Sequence, residues 1–341
     1  HLGVRDADLA LINGGGCTET MIHGCSNVGS LDAGINLALI LENTVRDALP
    51  HAESFATLLQ AFYAGVRGAV REIADQVNLD QQMKAQLRPQ PMRSLLIDDC
   101  IDNGVEYNAG GARYNWSVVN VAGLANVIDS LAALRDVVFE TGDLRAGDVL
   151  TALAADFEGY DVVRRRLEQA PRFGNDDPRV DDLAHDISTY VMREFLAYAP
   201  WRGGKFLASC LMFVTYASAG APVGATPDGR RAGAPLADSA GPMQGRDRKG
   251  PTALFKSLGA IPHYLAPGTL VVNVRFSKDL FTSPSGRKNL RSLIRAYFDM
   301  GGMQLQVNVL DQVVLRQACS RPQDFPNLIV RIGGYSEYFV N

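Results

Sequence analysis

Strand-like and helix-like stretches alternate along this chain, and that alternation constrains its fold more than any other feature. Thr269-Leu-Val-Val-Asn-Val-Arg-Phe276 and Met303-Gln-Leu-Gln-Val-Asn-Val309 carry the period-two, β-branched pattern of strands, and Asn289–Met300 between them reads as a helix. Asn327–Ile332 is a further short apolar strand that runs into Gly333-Gly334. Upstream the pattern is helical. Leu37, Ile40, Leu41 and Val45 share one face within Ala33–Leu49, and Phe55–Val77, Val118–Phe139 and Ala146–Phe157 read as further helices. Leu183, Ile187, Val191 and Phe195 recur every four residues, which predicts a helix over 180–198 with one buried stripe. Gly104–Asn115 is expected to be a loop, and Gly220–Pro251, rich in Gly, Pro, Asp and Arg, to hold little regular structure. The class is therefore α/β. Local pattern alone leaves a barrel and an open sheet equally open.

The bulk numbers exclude several function classes. A net charge of −4 and a pI near 5.8 give no basic surface for nucleic acid or an anionic membrane. No run of 18 apolar residues is present, so no membrane span is expected. Arg164-Arg-Arg166 reads as the solvated face of a helix. The five cysteines, Cys17, Cys25, Cys100, Cys210 and Cys319, are odd in number and not in zinc spacing. They point to a reducing compartment and to no metal site. The chain starts at His1 and ends just after Tyr338-Phe339-Val340, so it is expected to be part of a longer polypeptide.

Two strings carry chemistry. Gly14-Gly-Gly-Cys-Thr-Glu19 is dense in glycine, but no Gly-Lys-Ser/Thr follows, so it is not a phosphate loop. Cys17 is there either as an inert buried thiol or as a reactive one, and Glu19 either as a plain loop carboxylate or as a base within reach of the same atom. The second string is the tail, Arg331-Ile-Gly-Gly-Tyr-Ser-Glu-Tyr-Phe-Val-Asn341.

That tail resembles the signature of the glycyl radical enzymes of the pyruvate formate-lyase superfamily: Arg, an apolar residue, a variable residue, Gly-Tyr, then Phe-Val. Gly334 falls on the radical glycine. A Cα radical is delocalised into the flanking amides only if the centre can flatten, and a residue without a side chain permits this. Gly301–Val309 is similar to the strand leading into the glycine loop, and Gly224–Ser239 resembles the opening of the glycine radical domain. The resemblance implies half of a ten-stranded α/β barrel with helices outside, over 1–219, and a C-terminal glycine radical domain over 220–341.

Within that family Cys17 matches the thiyl cysteine. Thr18 after it argues against acetyl transfer from pyruvate, and Cys-x-Glu resembles the dehydratase and lyase branch and the arylacetate decarboxylases. The implied activity is radical elimination from a small hydroxylated substrate, with Glu19 as the base toward the hydroxyl. Formate C-acetyltransferase and arylacetate decarboxylase activity are the enzymatic alternatives; a catalytically silent or accessory chain is the alternative of another class. Asp32 stands either at the substrate or as a helix N-cap, His23 shares the Cys17 loop as a candidate substrate contact, and Cys25 reads as structural. The resemblance implies no cofactor bound to the chain itself. It also implies a radical installed by a separate activating enzyme that uses S-adenosylmethionine and an iron–sulfur cluster, a homodimer when full length, anaerobic conditions and the cytoplasm.

Overall fold

A computed structural model describes residues 2–310, 312–332 and 335–339 of the chain. Gly334, the expected radical site, lies outside the described residues.

The chain opens with an antiparallel hairpin, β1 (Ile12–Gly14) and β2 (Thr20–Ile22). Then β3 (Ser26–Asn36), β4 (Tyr114–Ala122) and β5 (Lys205–Ser209) form a parallel sheet in that order. The sheet continues past β5. The Cys210 amide donates to the Thr269 carbonyl at 2.8 Å, and the Val271 amide donates to the Cys210 carbonyl at 3.1 Å, so Leu270 bridges Cys210 in parallel. The chain from Leu270 runs into β6 (Asn273–Ser277), which pairs in parallel with β7 (Gln306–Leu310). Five parallel segments thus lie side by side. A second antiparallel hairpin, β8 (Ile329–Ile332) and β9 (Tyr335–Tyr338), ends the chain, with Ile332 opposite Tyr335.

The helices are α1 (Leu37–Ala48), α2 (Phe55–Leu87), α3 (Pro91–Leu95), α4 (Asp98–Asp102), α5 (Leu124–Leu134), α6 (Ala146–Ala154), α7 (Asp161–Glu168), α8 (Pro178–Leu196), α9 (Thr215–Gly220), α10 (Pro251–Ala260), α11 (Pro284–Asp299) and α12 (Gln312–Ser320). The two faces of the sheet have different neighbours. Val119, Val121, Phe206, Ala208, Leu270, Val272 and Val274 belong to one core with Leu41 of α1, Phe62 and Val66 of α2, Ile128 of α5 and Ile187 of α8. Trp116, Val118 and Leu207, which alternate with those residues along β4 and β5, pack instead with Ile22 of the first hairpin. Helices therefore cover one face and the β1–β2 hairpin lies on the other. This is the expected α/β arrangement of half a barrel, with parallel strands inside and helices outside.

Several element boundaries differ from the sequence expectation. The run Val118–Phe139 is not one helix. Its first residues finish β4, Gly123 turns the chain at φ +76, and only then does α5 begin, continuing as a π-helical turn over Arg135–Glu140. Every residue of β4 and of α5 is buried, so neither shows the one-sided period that separates strand from helix. Ala33–Asn36 likewise belongs to β3, and α1 starts at Leu37. The cap of α1 is Asn36, whose side chain accepts from the amides of Ala38 and Leu39 at 3.1 and 3.3 Å. Asp32 is therefore not the N-cap. The α2 helix runs on to Leu87. The Arg164–Arg166 face is not simply solvated: Arg166 pairs with Asp136 and Asp143 at 3.0 and 2.6 Å, and Arg164 with Glu168 at 3.2 Å.

The irregular stretch after α9 is held by buried polar groups rather than by a ladder. Arg230, 3% exposed, donates to the carbonyls of Gly220, Gly224 and Ala234. Asp228 accepts from Asn126 at 2.9 Å and from Thr226. The Arg230 bonds satisfy backbone carbonyls that no strand ladder pairs, and the Asp228 bonds satisfy its own buried carboxylate. Gln304, one of the three polar residues alternating toward β7, is also buried, and its side chain accepts from the Val272 amide at 2.9 Å.

Candidate active site

Cys17 sits at the tip of the β1–β2 hairpin. The strands close up to Gly14 and Thr20, and the tip between them turns through two backbone bonds: Gly15 donates to the Glu19 carbonyl at 2.8 Å, and Thr18 donates to the Gly15 carbonyl at 3.1 Å. The glycine at position 15 has a steric reason. A Cβ there would stand 2.5 Å from Met21 Cε and 3.0 Å from Glu19 Oε2, so both side chains would have to shift away from the turn.

Glu19 turns its carboxylate back into the tip. Its Oε2 accepts from the Cys17 amide at 3.0 Å, and the residue is 6% exposed. Thiol and carboxylate thus share one turn. Thr18, between them, adopts φ +76, a left-handed conformation unusual for a β-branched residue. Its hydroxyl reaches the Cys17 carbonyl and stands 3.1 Å from the hydroxyl of Thr269. Thr269 has φ +103 and is fully buried, and the Thr20 amide donates to Pro267 at 3.4 Å. The tip is thereby fastened to the segment that follows β5 and precedes β6. Thr18 was singled out from sequence only as the residue that replaces a second cysteine, not as a fastening point, and nothing in the sequence points to Thr269.

The other candidates are not gathered at this tip. His23 lies beyond the far end of β2, exposed, with its amide donating to the Leu11 carbonyl at 3.0 Å. Asp32 lies away from the tip, beside the C-terminal end of α2. Between Gly29 and Ala33 the register of β3 against β4 slips, because two extra residues bulge out, with Leu31 at φ +60. The bulge turns the Asp32 carboxylate toward Arg202 at 3.1 Å, Gln81 of α2 at 3.3 Å and Lys84 of α2 at 3.8 Å. That places Asp32 beside Arg202 and the C-terminal end of α2 rather than at the Cys17 turn. Cys25 is fully buried, with Sγ 3.7 Å from Asp98 Oδ2 and 3.4 Å from Arg113 Nη1; burial pushes its thiol pKa up. Cys210 is also fully buried, and burial pushes its thiol up to about 12, which keeps it protonated.

Among the described residues no group of three or more His, Cys, Asp or Glu could hold a metal ion, and no helix is long and apolar enough to cross a membrane.

Residues 1–220 match the family model described as pyruvate formate lyase-like, and residues 236–340 match the glycine radical model. The chain belongs to the pyruvate formate lyase-like family. Its glycyl radical relatives include the trans-4-hydroxy-L-proline dehydratase of Clostridioides difficile, 31% identical over 98% of this chain and 44% of that protein. The isethionate sulfite-lyase of Bilophila wadsworthia is 34% identical over 76% of this chain and 32% of that protein. The glycerol-bound form of the B12-independent glycerol dehydratase from Clostridium butyricum superposes with a TM-score of 0.95 at 32% identity, over 99% of this chain and 45% of that one. The chain thus spans less than half the length of these relatives. The glycine radical match takes in Gly334, and the pyruvate formate lyase-like match takes in the hairpin that carries Cys17.

Proposed function

We propose that this chain carries the two radical-handling residues of a glycyl radical dehydratase or lyase, Cys17 and Gly334, and that the enzyme eliminates a leaving group from a small hydroxylated substrate. The observation that supports this reading best is the 3.0 Å bond from the Cys17 amide to Glu19 Oε2, which keeps a carboxylate on the same turn as the thiol. A hydrogen-atom acceptor and a proton acceptor then serve one substrate carbon and its hydroxyl.

Gly334 Cα first gives up one hydrogen atom to a separate activating enzyme that uses S-adenosylmethionine and an iron–sulfur cluster. The glycyl centre takes the Cys17 thiol hydrogen, leaving a thiyl radical. The thiyl takes the hydrogen from the carbinol carbon, and Glu19 takes the hydroxyl proton. The leaving group on the neighbouring carbon departs with its bonding electron pair, the carbonyl forms, and the unpaired electron moves to that neighbouring carbon. There it takes the hydrogen back from Cys17, and the new thiyl returns the spin to Gly334. Thr18, held in its left-handed turn, keeps thiol and carboxylate in register but supplies no second thiol for acyl transfer. On this reading 1–219 carries the thiol and 220–341 the glycine. The enzyme works as a homodimer in the anaerobic cytoplasm, with the activating enzyme as its protein partner.

The test is Cys17→Ala in the full-length protein, activated in parallel with wild type. The variant is expected to store as much organic radical as wild type by electron paramagnetic resonance and to form no product. Product formation by Cys17→Ala, or no radical in activated wild type, would overturn the assignment; the second outcome would favour a silent chain.

A further inference from the structure

Away from the Cys17 tip, a cleft of about 530 Å³ opens between the N-terminal half of β3, the C-terminal end of α2 and the loop that carries Tyr107. Its size is that of a small-molecule site. Its lining is strongly cationic: Lys84, Arg88, Arg93 and Arg202 face a single carboxylate, Asp32.

Two of these groups are built in. Arg202 is buried, with a side chain 5% exposed. It is fixed by Nη2 bonds to the Trp116 carbonyl at 2.6 Å and to Asp32 at 3.1 Å. Its buried Nε has no partner among the described residues. A buried guanidinium with one donor left unpaired keeps hydrogen-bonding capacity in reserve at the wall of the cleft. Tyr107 is held by its carbonyl, which accepts from Asn27 at 2.9 Å, and its ring carries the Arg93 guanidinium 5.5 Å above its centre. The nearby Glu106 does not line the cleft, and its two oxygens accept from the amides of Gln90 and Asn108. Asn108 in turn donates to the Arg88 carbonyl at 2.7 Å and so fixes the end of α2.

From this arrangement we infer that the cleft is a binding site for a small organic phosphate. Four cations against one carboxylate call for a ligand with more than one negative charge. Buried and stacked guanidinium forks suit the tetrahedral oxygens of a phosphate better than a single carboxylate. The cleft also has a path to the thiol. Met21 lines it, and the same methionine side chain closes on Gly15 in the Cys17 tip. Occupancy of the cleft therefore bears on the position of Met21 and through it on the turn that holds Cys17 and Glu19.

The test is isothermal titration of the intact protein with adenosine 5′-monophosphate and, in a second arm, with inorganic phosphate. Binding is expected, and Arg88→Ala/Arg93→Ala is expected to weaken it at least tenfold; both side chains are exposed, so the fold is unaffected. Asp32→Asn, which removes the one opposing charge, is expected to tighten binding. The organic phosphate binding more tightly than inorganic phosphate supports the proposal as stated; equal binding would reduce it to an adventitious anion site and overturn it. No binding at millimolar ligand, binding unchanged in the double variant, or tighter capture of a polyglutamate peptide than of either phosphate would each overturn it as well.

Discussion

The hydroxyls of Thr18 and Thr269 meet at 3.1 Å, although the residues are 251 positions apart, and both residues hold positive φ. Two β-branched residues in that conformation cost about 1–3 kcal/mol each in backbone strain. The bond between them fixes the Cys17 turn against the segment after β5, where it would otherwise be an exposed hairpin end. Replacing Thr269 by Val keeps the shape and removes the bond. The loss is about 1 kcal/mol, equivalent to about fivefold faster local opening. Hydrogen exchange at the amides of Gly15 and Thr18 should accelerate by about that factor while the core strands stay unchanged. Unaltered exchange at the tip would show that the hairpin holds itself.

Glu19→Gln in the full-length enzyme should store the radical normally and turn over slowly. Radical storage involves Gly334 and the activating enzyme, whereas proton removal needs a carboxylate, and an amide of the same shape cannot take up the proton. The expected loss in rate is ~10²–10⁴. Radical by electron paramagnetic resonance, measured beside product, separates the outcomes. Wild-type turnover would leave Glu19 as a loop carboxylate, and loss of the radical would make it structural.

Gly29→Ala should destabilise the fold. A Cβ at position 29 would overlap Asp32 Oδ2 and Arg202 Nη2, so the pair must separate. Both side chains are at least nine-tenths buried, and breaking such a pair typically costs about 3–5 kcal/mol. The urea midpoint of unfolding should fall accordingly. An unchanged midpoint would mean that the bulge relaxes to make room.

Asp129 predicts a pH dependence. It is fully buried, Oδ1 accepts from the Phe173 amide at 2.8 Å, and Arg172 stands 3.9 Å from Oδ2. Burial raises its pKa to about 7, against the opposing pull of Arg172 and with a further push from Asp228. The folded carboxyl therefore holds its proton where the unfolded one, near 3.8, has lost it. The folded state binds more protons across this window, so stability falls as pH rises from about 4 to about 7, by at most ~1.4 kcal/mol per pH unit, and levels off above. Denaturation midpoints from pH 5 to 8 should decline in wild type and flatten in Asp129→Asn.

The two edges of legibility in the sequence have a common cause. The segments 269–276 and 303–309 were readable as strands because their two faces differ: Val272 and Val274 enter the helix-side core while Asn273, Gln306 and Asn308 point the other way. β4 was missed because Tyr114–Ala122 is buried on both faces and runs through a single glycine into a helix buried all round. The chemistry at the tip was legible because Gly-Gly-Gly-Cys-Thr-Glu is one contiguous string, and Glu19 lies beside Cys17 however the rest folds. The surroundings of Asp32 were not legible, because a two-residue bulge turns its carboxylate toward Arg202 and α2 and leaves no mark in the pattern. Gly334, the most specific reading of all, lies outside the described residues.

The same bulge has a consequence for the company the sheet keeps. Among the described residues β3 has β4 on one side and no strand on the other. An unbroken edge of eleven residues would offer a neighbouring strand one continuous ladder. Because the register holds only over 26–29 and again over 33–36, no incoming chain meets more than four regular residues in a row. A buried charge pair sits at the break. The interruption that misdirects a reader of the sequence also means that any strand laid beside β3, including one from the rest of a longer barrel, pairs with two short stretches rather than one continuous ladder.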